Sequence, residues 1–410
     1  VNPKVIIVGA GLAGLCCARH LHRRGVDVVL LEQKQEVGGR LQTTQLDGFV
    51  LDHGFQVYNT AYPEGQQELN YQALDFGYFD PGAYIFMEGQ RYNVGDPLRQ
   101  PSTLISTLQA PIGSVKDKML MAKLSLWSRQ LSHAQLMAMP VQTTLSFLRG
   151  YGFSSKIIAN FFQPFFGGVF LEKSLHTSHH LFLYVFSMLA KGKAALPKNG
   201  MQAIAQQLSQ HLPNDQLLLG HTVESIQDGR VTCQNGKTIK AQHIVLAVEQ
   251  HTAQKLLGQP QTQAWVGTYN AYFEVDALPI EHKKICLMTD RHPWIQNICF
   301  PSMIQPSYAP KGRNLMSVSV NITPEEDRSG LAQRIEHAVI DLFDHECGAI
   351  QALAQFEVPY ALPYQEPQTL LPWQRPQNID QGLWVCGDWL DQGSIQGAMV
   401  SGRRVAEQLC

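Results

Sequence analysis

The chain has 410 residues, more than one hydrophobic core usually organises, so two domains are expected. Its 44% hydrophobic and 16% charged residues are those of an ordinary globular protein, not of a disordered or coiled-coil one. The formal charge of -2 gives no overall attraction to nucleic acid or to an anionic membrane, and nucleic-acid recognition is set aside.

The first element is Lys4-Val5-Ile6-Ile7-Val8, a short apolar run of the kind buried on both faces of a parallel sheet. Gly9-Ala10-Gly11-Leu12-Ala13-Gly14 follows at once, a G-x-G-x-x-G. A helix is expected from Leu12 to about Arg24, ended by Gly25, then a strand over 26–31 with Glu32 at its end. Gly9 permits the tight turn, Gly11 lets a pyrophosphate approach, and Gly14 lets helix and strand pack closely. The helix N-terminus supplies free N–H groups and a positive dipole end to phosphates, and Glu32 can accept from ribose hydroxyls. A lone glycine motif is weak evidence. Strand, glycines, helix, strand and acid in this order make a nucleotide site.

Next comes Glu36-Val37-Gly38-Gly39-Arg40, a pliable backbone beside a fork of donors suited to phosphate. Asp47-Gly48 reads as a hairpin turn between Leu41–Leu46 and Phe49–Leu51, with Asp52-His53-Gly54 closing the second strand. Far along the chain, Leu196 to Met201 opens an amphipathic helix burying Met201, Ile204, Ala205, Leu208 and Leu212. Short strands with Asp228-Gly229 and Asn235-Gly236 turns follow it. Leu331–Phe343 has the spacing of an amphipathic helix. At the end, Leu383-Trp384-Val385-Cys386 reads as a buried strand leading to Gly387-Asp388, then to Ser394-Ile395-Gln396-Gly397-Ala398 and a helix to Leu409.

On these residues the chain resembles the amine oxidase, protoporphyrinogen oxidase and phytoene desaturase superfamily. The dinucleotide turn, the acid, G-G-R and D-x-G match its start, and Gly387-Asp388 with the final helix match its closing flavin motif. The resemblance covers both ends and the middle, with its specific motifs in three segments. It implies non-covalent FAD held by Gly9, Gly11, Leu12, Ala13, Gly14, Glu32, Gly38, Gly39, Arg40, Gly54, Phe55, Gln56, Val223, Gly387, Asp388, Ile395, Gln396 and Ala398. In that family the last helix aims its N-terminus at the flavin's N1/C2=O edge, where reduction places negative charge.

The expected fold class is α/β, a Rossmann-type FAD-binding domain (parallel sheet plus β-meander) with a second α+β substrate domain. The FAD-binding domain is expected over 1–56, 196–264 and 371–410, and the substrate domain over 57–195 and 265–370. Aromatic clusters at Ile157–Phe170 and Leu181–Leu189 read first as helical core, and alternatively as the lining of an apolar tunnel or a membrane-facing entrance.

Two details resemble carotenoid desaturases: the stretch Asp52 to Tyr58 with Ala61-Tyr62-Pro63, and the C-terminal Ser394 to Gly402, where Gln396 stands in place of a common acid. The strand Trp265–Val275 lacks the lysine that monoamine oxidases place near flavin N5. Dehydrogenation or desaturation of an apolar substrate is therefore the leading expectation, with amine or porphyrinogen oxidase and flavin-dependent isomerase as alternatives. His53, Gln56 and Tyr62 are the catalytic candidates. With no second dinucleotide motif, oxygen or a quinone is the expected electron acceptor. His176, His179 and His180 lack the partners a metal site needs, and no metal is expected. Eight scattered cysteines without a C-x-x-C pair read as reduced thiols. With the motif starting so close to Val1, no signal peptide is expected, and no apolar run reaches the ~20 residues of a membrane span. A cytoplasmic location, at most peripheral to a membrane, is expected.

Overall fold

The computed structural model describes residues 3–260, 265–322, 328–365, 367 and 375–410. One sheet has six strands in the order Leu217–Leu218, Val28–Leu31, Val5–Val8, His243–Leu246, Leu383–Val385 and Asn378–Asp380. All neighbours pair in parallel except the last two. Because side chains alternate along a strand, the continuous apolar run Val5–Val8 serves both faces. Val5 and Ile7 pack with Leu15, Ala18, Met399 and Val405 of the helices Leu12–Arg23 and Ile395–Leu409. Ile6 and Val8 face Val231, Cys233 and Ala253 on the other side, under the antiparallel meander Val223–Gln227, Arg230–Cys233 and Thr238–Lys240. The Rossmann-type α/β fold expected from the sequence is the fold of the protein.

Two glycines set the closeness of this packing. A Cβ on Gly14 would stand 2.0 Å from Gly9 O and 3.1 Å from Ala247 Cβ, and one on Gly402 would stand 2.0 Å from Ala13 O. The first and last helices therefore touch backbone to backbone. Ser401, beside that contact, accepts the N–H of Gly387 at 3.0 Å and so ties the final helix to the end of the strand Leu383–Val385.

A second, mixed sheet has seven strands in the order Ile350–Pro363, Trp265–Val275, Asn314–Ile322, Ile295–Cys299, Ile285–Met288, Gly82–Met87 and Gln90–Gly95. The helix Leu331–Phe343 covers one face, burying Ile335, Val339 and Phe343 at helical spacing. Each such side chain contributes roughly 1.5–3 kcal/mol. On the opposite face, Asn270 donates to Ser317 Oγ at 3.1 Å and accepts from Ser319 at 2.6 Å.

A helical layer stands beside that face, including Leu104–Gln109, Val115–Gln130, Thr144–Tyr151, Gln163–Phe170 and His179–Lys191. Its core contains Leu124, Leu148, Phe162, Phe166 and Phe182. Asp52 fastens the parts together. Its carboxylate accepts from Thr43 Oγ1 at 2.6 Å, Met201 N at 2.8 Å and Tyr308 Oη at 2.7 Å, and its carbonyl accepts from Tyr272 Oη. Of the domain boundaries expected from the sequence, 264 and 370/371 lie outside the described residues. All eight cysteines are free thiols, with Cys410 alone exposed.

Candidate functional site

A cavity of about 870 Å³ runs from the carboxyl ends of the parallel strands into the helical layer. That volume lies toward the upper end of small-molecule sites, about 300–1,000 Å³. Its position beyond the strand ends is where open α/β sheets bind ligands.

The nucleotide end is assembled from the first motif. Gly9 turns with φ +103°, and Leu12 and Ala13 start the helix with the cavity before them. Neither donates its N–H to an acceptor among the described residues, as the first turn of a helix requires of any ligand site. A Cβ on Gly11 would find nothing nearer than Gly39 Cα at 3.9 Å, so its open side is cavity rather than protein. Gly14 does not line the cavity; it packs against Gly9 and Ala247, which lets the helix approach the turn.

Glu32 is buried at the end of its strand, where Oε2 accepts from Ala10 N at 2.7 Å and Oε1 from Lys34 N at 2.9 Å. Each carboxylate oxygen keeps a further lone pair, so the residue can still take ribose hydroxyls. Val223 lines the same end. These features fit an extended dinucleotide.

Gly38, Gly39 and Arg40 lie across from the first turn, with Gly38 N donating to Ala10 O at 2.9 Å. Arg40 is less free than its motif suggested. Its guanidinium donates to Asp388 Oδ1 at 2.5 Å and to Ala361 O at 2.8 Å, and lies 5.6 Å from the Trp265 ring centre. Burial works against its charge, yet Asp388 beside it holds its pKa above the ordinary value. A Cβ on Gly387 would stand 2.6 Å from Trp389 Nε1, so the indole would have to shift to admit one.

At the final helix, Ser394 caps the N-terminus by accepting Gly397 N at 3.0 Å, and Ile395 and Ala398 line the cavity. The N–H groups of Ile395 and Gln396 find no acceptor among the described residues. Gln396, expected among the cofactor residues, does not line the cavity, and its side chain accepts Glu64 N at 3.1 Å.

The three catalytic candidates all line the cavity but differ chemically. His53 Nε2 pairs with Thr44 Oγ1 at 2.8 Å, and its ring stacks on Phe356 at 4.1 Å. Burial, aided by Lys34, lowers its pKa, so the ring is neutral near pH 7. Tyr62 is pushed up to about 12 by burial. Gln56 donates to Arg40 O at 3.2 Å while its buried Oε1 has no partner among the described residues. Gly54 and Phe55 line the cavity beside them.

The aromatic clusters divide. Phe162 and Phe182 are fully buried core, Phe161, Phe165 and Phe186 line the cavity, and Phe166 is buried in the core while bordering it. Sequence reasoning missed the sheet side of the cavity: Thr268, Ser319, Gln296 and Asn297. Its signal was a polar pair inside Ile295–Cys299, a strand buried throughout, where a register shift marks a bulge that brings both neighbours to the cavity. His179 and His180 are fully buried, His179 stacking on Phe147 with its pKa lowered to about 4 by burial.

Residues 12–410 match the model of the flavin containing amine oxidoreductase family, and the chain belongs to that family. It is an FAD-dependent oxidoreductase. Among relatives, it is 27% identical over 170 residues to protoporphyrinogen oxidase 2, chloroplastic/mitochondrial, of Arabidopsis thaliana, a match covering 41% of this chain and 32% of the plant enzyme. It is 45% identical over 53 residues to 4,4'-diapolycopene oxygenase of a Methylomonas species, covering 13% and 11% of the two chains. The matched segments thus span a third or less of these relatives. The fold is similar throughout to the crystal structure of an oxidoreductase from Methanosarcina mazei, with a TM-score of 0.76 and 17% identity over 98% of this chain and 100% of that one.

Proposed function

We propose that this protein dehydrogenates or desaturates a long, largely apolar, isoprenoid-like substrate lying in the inner part of the cavity. The observation that carries the reading is the lining of that part. Phe161, Phe165, Val185, Phe186 and Leu189 supply aromatic and aliphatic surface, and polar groups enter mainly from Thr268, Gln296, Asn297 and Ser319 on the sheet. Such a wall holds a hydrocarbon by area burial, with little to recognise a charged amine.

Gly9, Gly11, Leu12 and Ala13 would take the pyrophosphate, with Gly38, Gly39 and the Arg40–Asp388 pair facing it. Glu32 would take a ribose and Val223 the adenine. Gly54, Phe55 and Gln56, together with the N–H groups of Ile395 and Gln396 and the side of Ala398, would border the flavin ring. Bound there, FAD supplies a two-electron acceptor able to take a hydride at N5. The chain's own contribution is to orient a C–H bond and keep water out. Of the three candidates, His53 is the one whose neutral ring can accept a proton near neutrality; Tyr62 keeps its proton and Gln56 has no basic atom. Oxygen or a quinone would be the final electron acceptor.

Anaerobic mixing of the holoprotein with polyenes, porphyrinogens and amines tests this. Loss of flavin colour with polyenes is expected. Bleaching by amines or porphyrinogens alone would replace this reading with the oxidase one, which the Arabidopsis relative favours. Rapid stoichiometric reoxidation by NAD⁺ or NADP⁺ would overturn the proposed acceptor.

A further inference from the structure

The chain's near-neutral total hides a strong local asymmetry. Between Pro97 and Leu171 it carries seven lysines and arginines against a single acid, Asp117, although the whole chain has 32 basic and 34 acidic residues. Asp117 contributes little outward field: it is buried, and its carboxylate is taken up by Ser114 and Ser154. Lys116, Lys123, Arg149 and Lys156 are exposed. The helical layer is thus a cationic body on a protein that is otherwise acidic.

The same segment shows unusual apolar surface. Of the twelve exposed large hydrophobic residues among those described, seven fall between Leu98 and Leu126. The helix Leu104–Gln109 buries none of its residues, and its Leu104, Ile105 and Leu108 stand 48%, 68% and 47% exposed. On Val115–Gln130, Val115, Met119 and Leu126 recur at helical spacing on the exposed side, while Leu124, Ser125 and Ser128 face inward. Isolated exposed apolar residues need no explanation, but a contiguous group ringed by cations does.

The position of this patch gives it meaning. Leu98, Leu104, Leu108, Val115 and Met119 are exposed and also line the cavity, so they form its mouth. Ile105 and Leu126 lie just outside. An apolar rim around an apolar passage, flanked by lysines, matches a lipid surface with anionic headgroups. A second protein copy would have to bring acidic charge to the same place.

We infer that the helices Leu104–Gln109 and Val115–Gln130 dock the protein on an anionic bilayer and open the cavity directly to the acyl region. Among the described residues no helix is long and apolar enough to cross a membrane, so the contact is peripheral. Its affinity comes from shallow insertion of the apolar side chains added to attraction of the lysines. From the functional reading it takes only that the substrate is apolar.

The test is flotation of the holoprotein with vesicles of phosphatidylcholine alone and of phosphatidylcholine mixed with phosphatidylglycerol. Binding to the mixed vesicles that weakens with salt is expected. Lys116→Gln and Lys123→Gln are each expected to weaken it about fivefold, the effect of one juxtamembrane lysine. Ile105→Ser with Leu126→Ser is expected to reduce it on both vesicle types, with flavin content unchanged. No binding to the anionic vesicles at low salt, or binding indifferent to all four substitutions, overturns the inference. So does a salt-sensitive dimer that the Ile105→Ser, Leu126→Ser variant dissolves, which would assign the patch to a second copy. Bleaching of the flavin by detergent-dispersed polyene involves no vesicle, so docking and chemistry fail independently.

Discussion

Arg40 and Asp388, 348 residues apart in sequence, meet with Nη2 2.5 Å from Oδ1. The contact closes the Gly38-Gly39-Arg40 segment onto the turn that follows the last strand and fixes both motifs against one cavity. Asp388 is almost fully buried, while the Arg40 side chain keeps 26% exposure. Asp388→Ala leaves a partly desolvated guanidinium without its counter-charge, and the expected loss is about 3 kcal/mol, the low end for a broken buried pair. Urea unfolding of the apoprotein measures it, and flavin absorbance per protein is expected to fall as well. A variant with wild-type FAD content and an unmoved midpoint would show the pair to be incidental.

Gly11 and Gly402 give opposite outcomes under the same change. At Gly11 the added Cβ enters open cavity, so Gly11→Val is expected to fold with near-normal apoprotein stability and to purify colourless. At Gly402 the Cβ meets Ala13 O at 2.0 Å, so Gly402→Val must push apart the first and last helices. A loss of several kcal/mol or failure to accumulate is expected there, typical of severe overpacking. Yellow Gly11→Val protein with normal FAD affinity would refute the pyrophosphate assignment.

Much of the nucleotide half was legible because short-range physics dictates it. The apolar run before Gly9, the Asp47-Gly48 turn and the spacing of Leu331–Phe343 each specify an element without distant information. What stayed hidden depends on long-range placement. Gln396 reads as a ring contact until the fold brings Glu64 N to it. Gln296 and Asn297 were invisible because a bulge, not simple alternation, decides which way a strand residue faces. The phenylalanines at 161 and 162 are adjacent in sequence, yet one lines the cavity and the other is core. Helical periodicity gives a buried side but not which neighbour will be missing.

Asp52 predicts a pH dependence of stability. Burial raises its pKa from 3.8 to about 6, against the opposing hydrogen bonds from Thr43, Met201 and Tyr308. The folded state therefore holds a proton that the unfolded state releases near pH 4. The stability from this site is full below pH 4 and is lost as pH rises through about 6, an amount on the order of 3 kcal/mol. Asp52→Asn is expected to lower stability at pH 4 and to flatten that part of the profile between pH 4 and 7. Denaturant midpoints at several pH values decide it; parallel profiles for the two proteins would exclude Asp52 as the source.

His53 sets the expected acid limb of activity. Its lowered pKa means that the ring loses basicity only below the ordinary histidine range. Turnover is expected to hold steady through neutrality and to fall on acidification below about pH 6.5. His53→Gln should remove that limb and lower kcat by 10²–10⁴-fold, the usual contribution of a general base. If the limb persists in the variant at reduced stability only, the ring serves packing on Phe356.

Gly168 offers a change confined to the substrate end. It lines the cavity within the helix Gln163–Phe170, and a Cβ there would have Gln296 Oε1 at 3.9 Å as its nearest neighbour. Gly168→Leu therefore adds volume to the passage without a backbone clash, and it replaces a helical glycine by a better helix former. Stability is expected to hold or rise by about 0.5–1 kcal/mol. FAD content is expected to be unchanged, because the nucleotide end lies elsewhere. A long polyene must share the passage with the new side chain, so its KM is expected to rise about tenfold while a shorter analogue is affected less. That split by length separates a tunnel from a plain core. Equal KM values for both substrates would mean that the chain of the substrate does not pass Gly168.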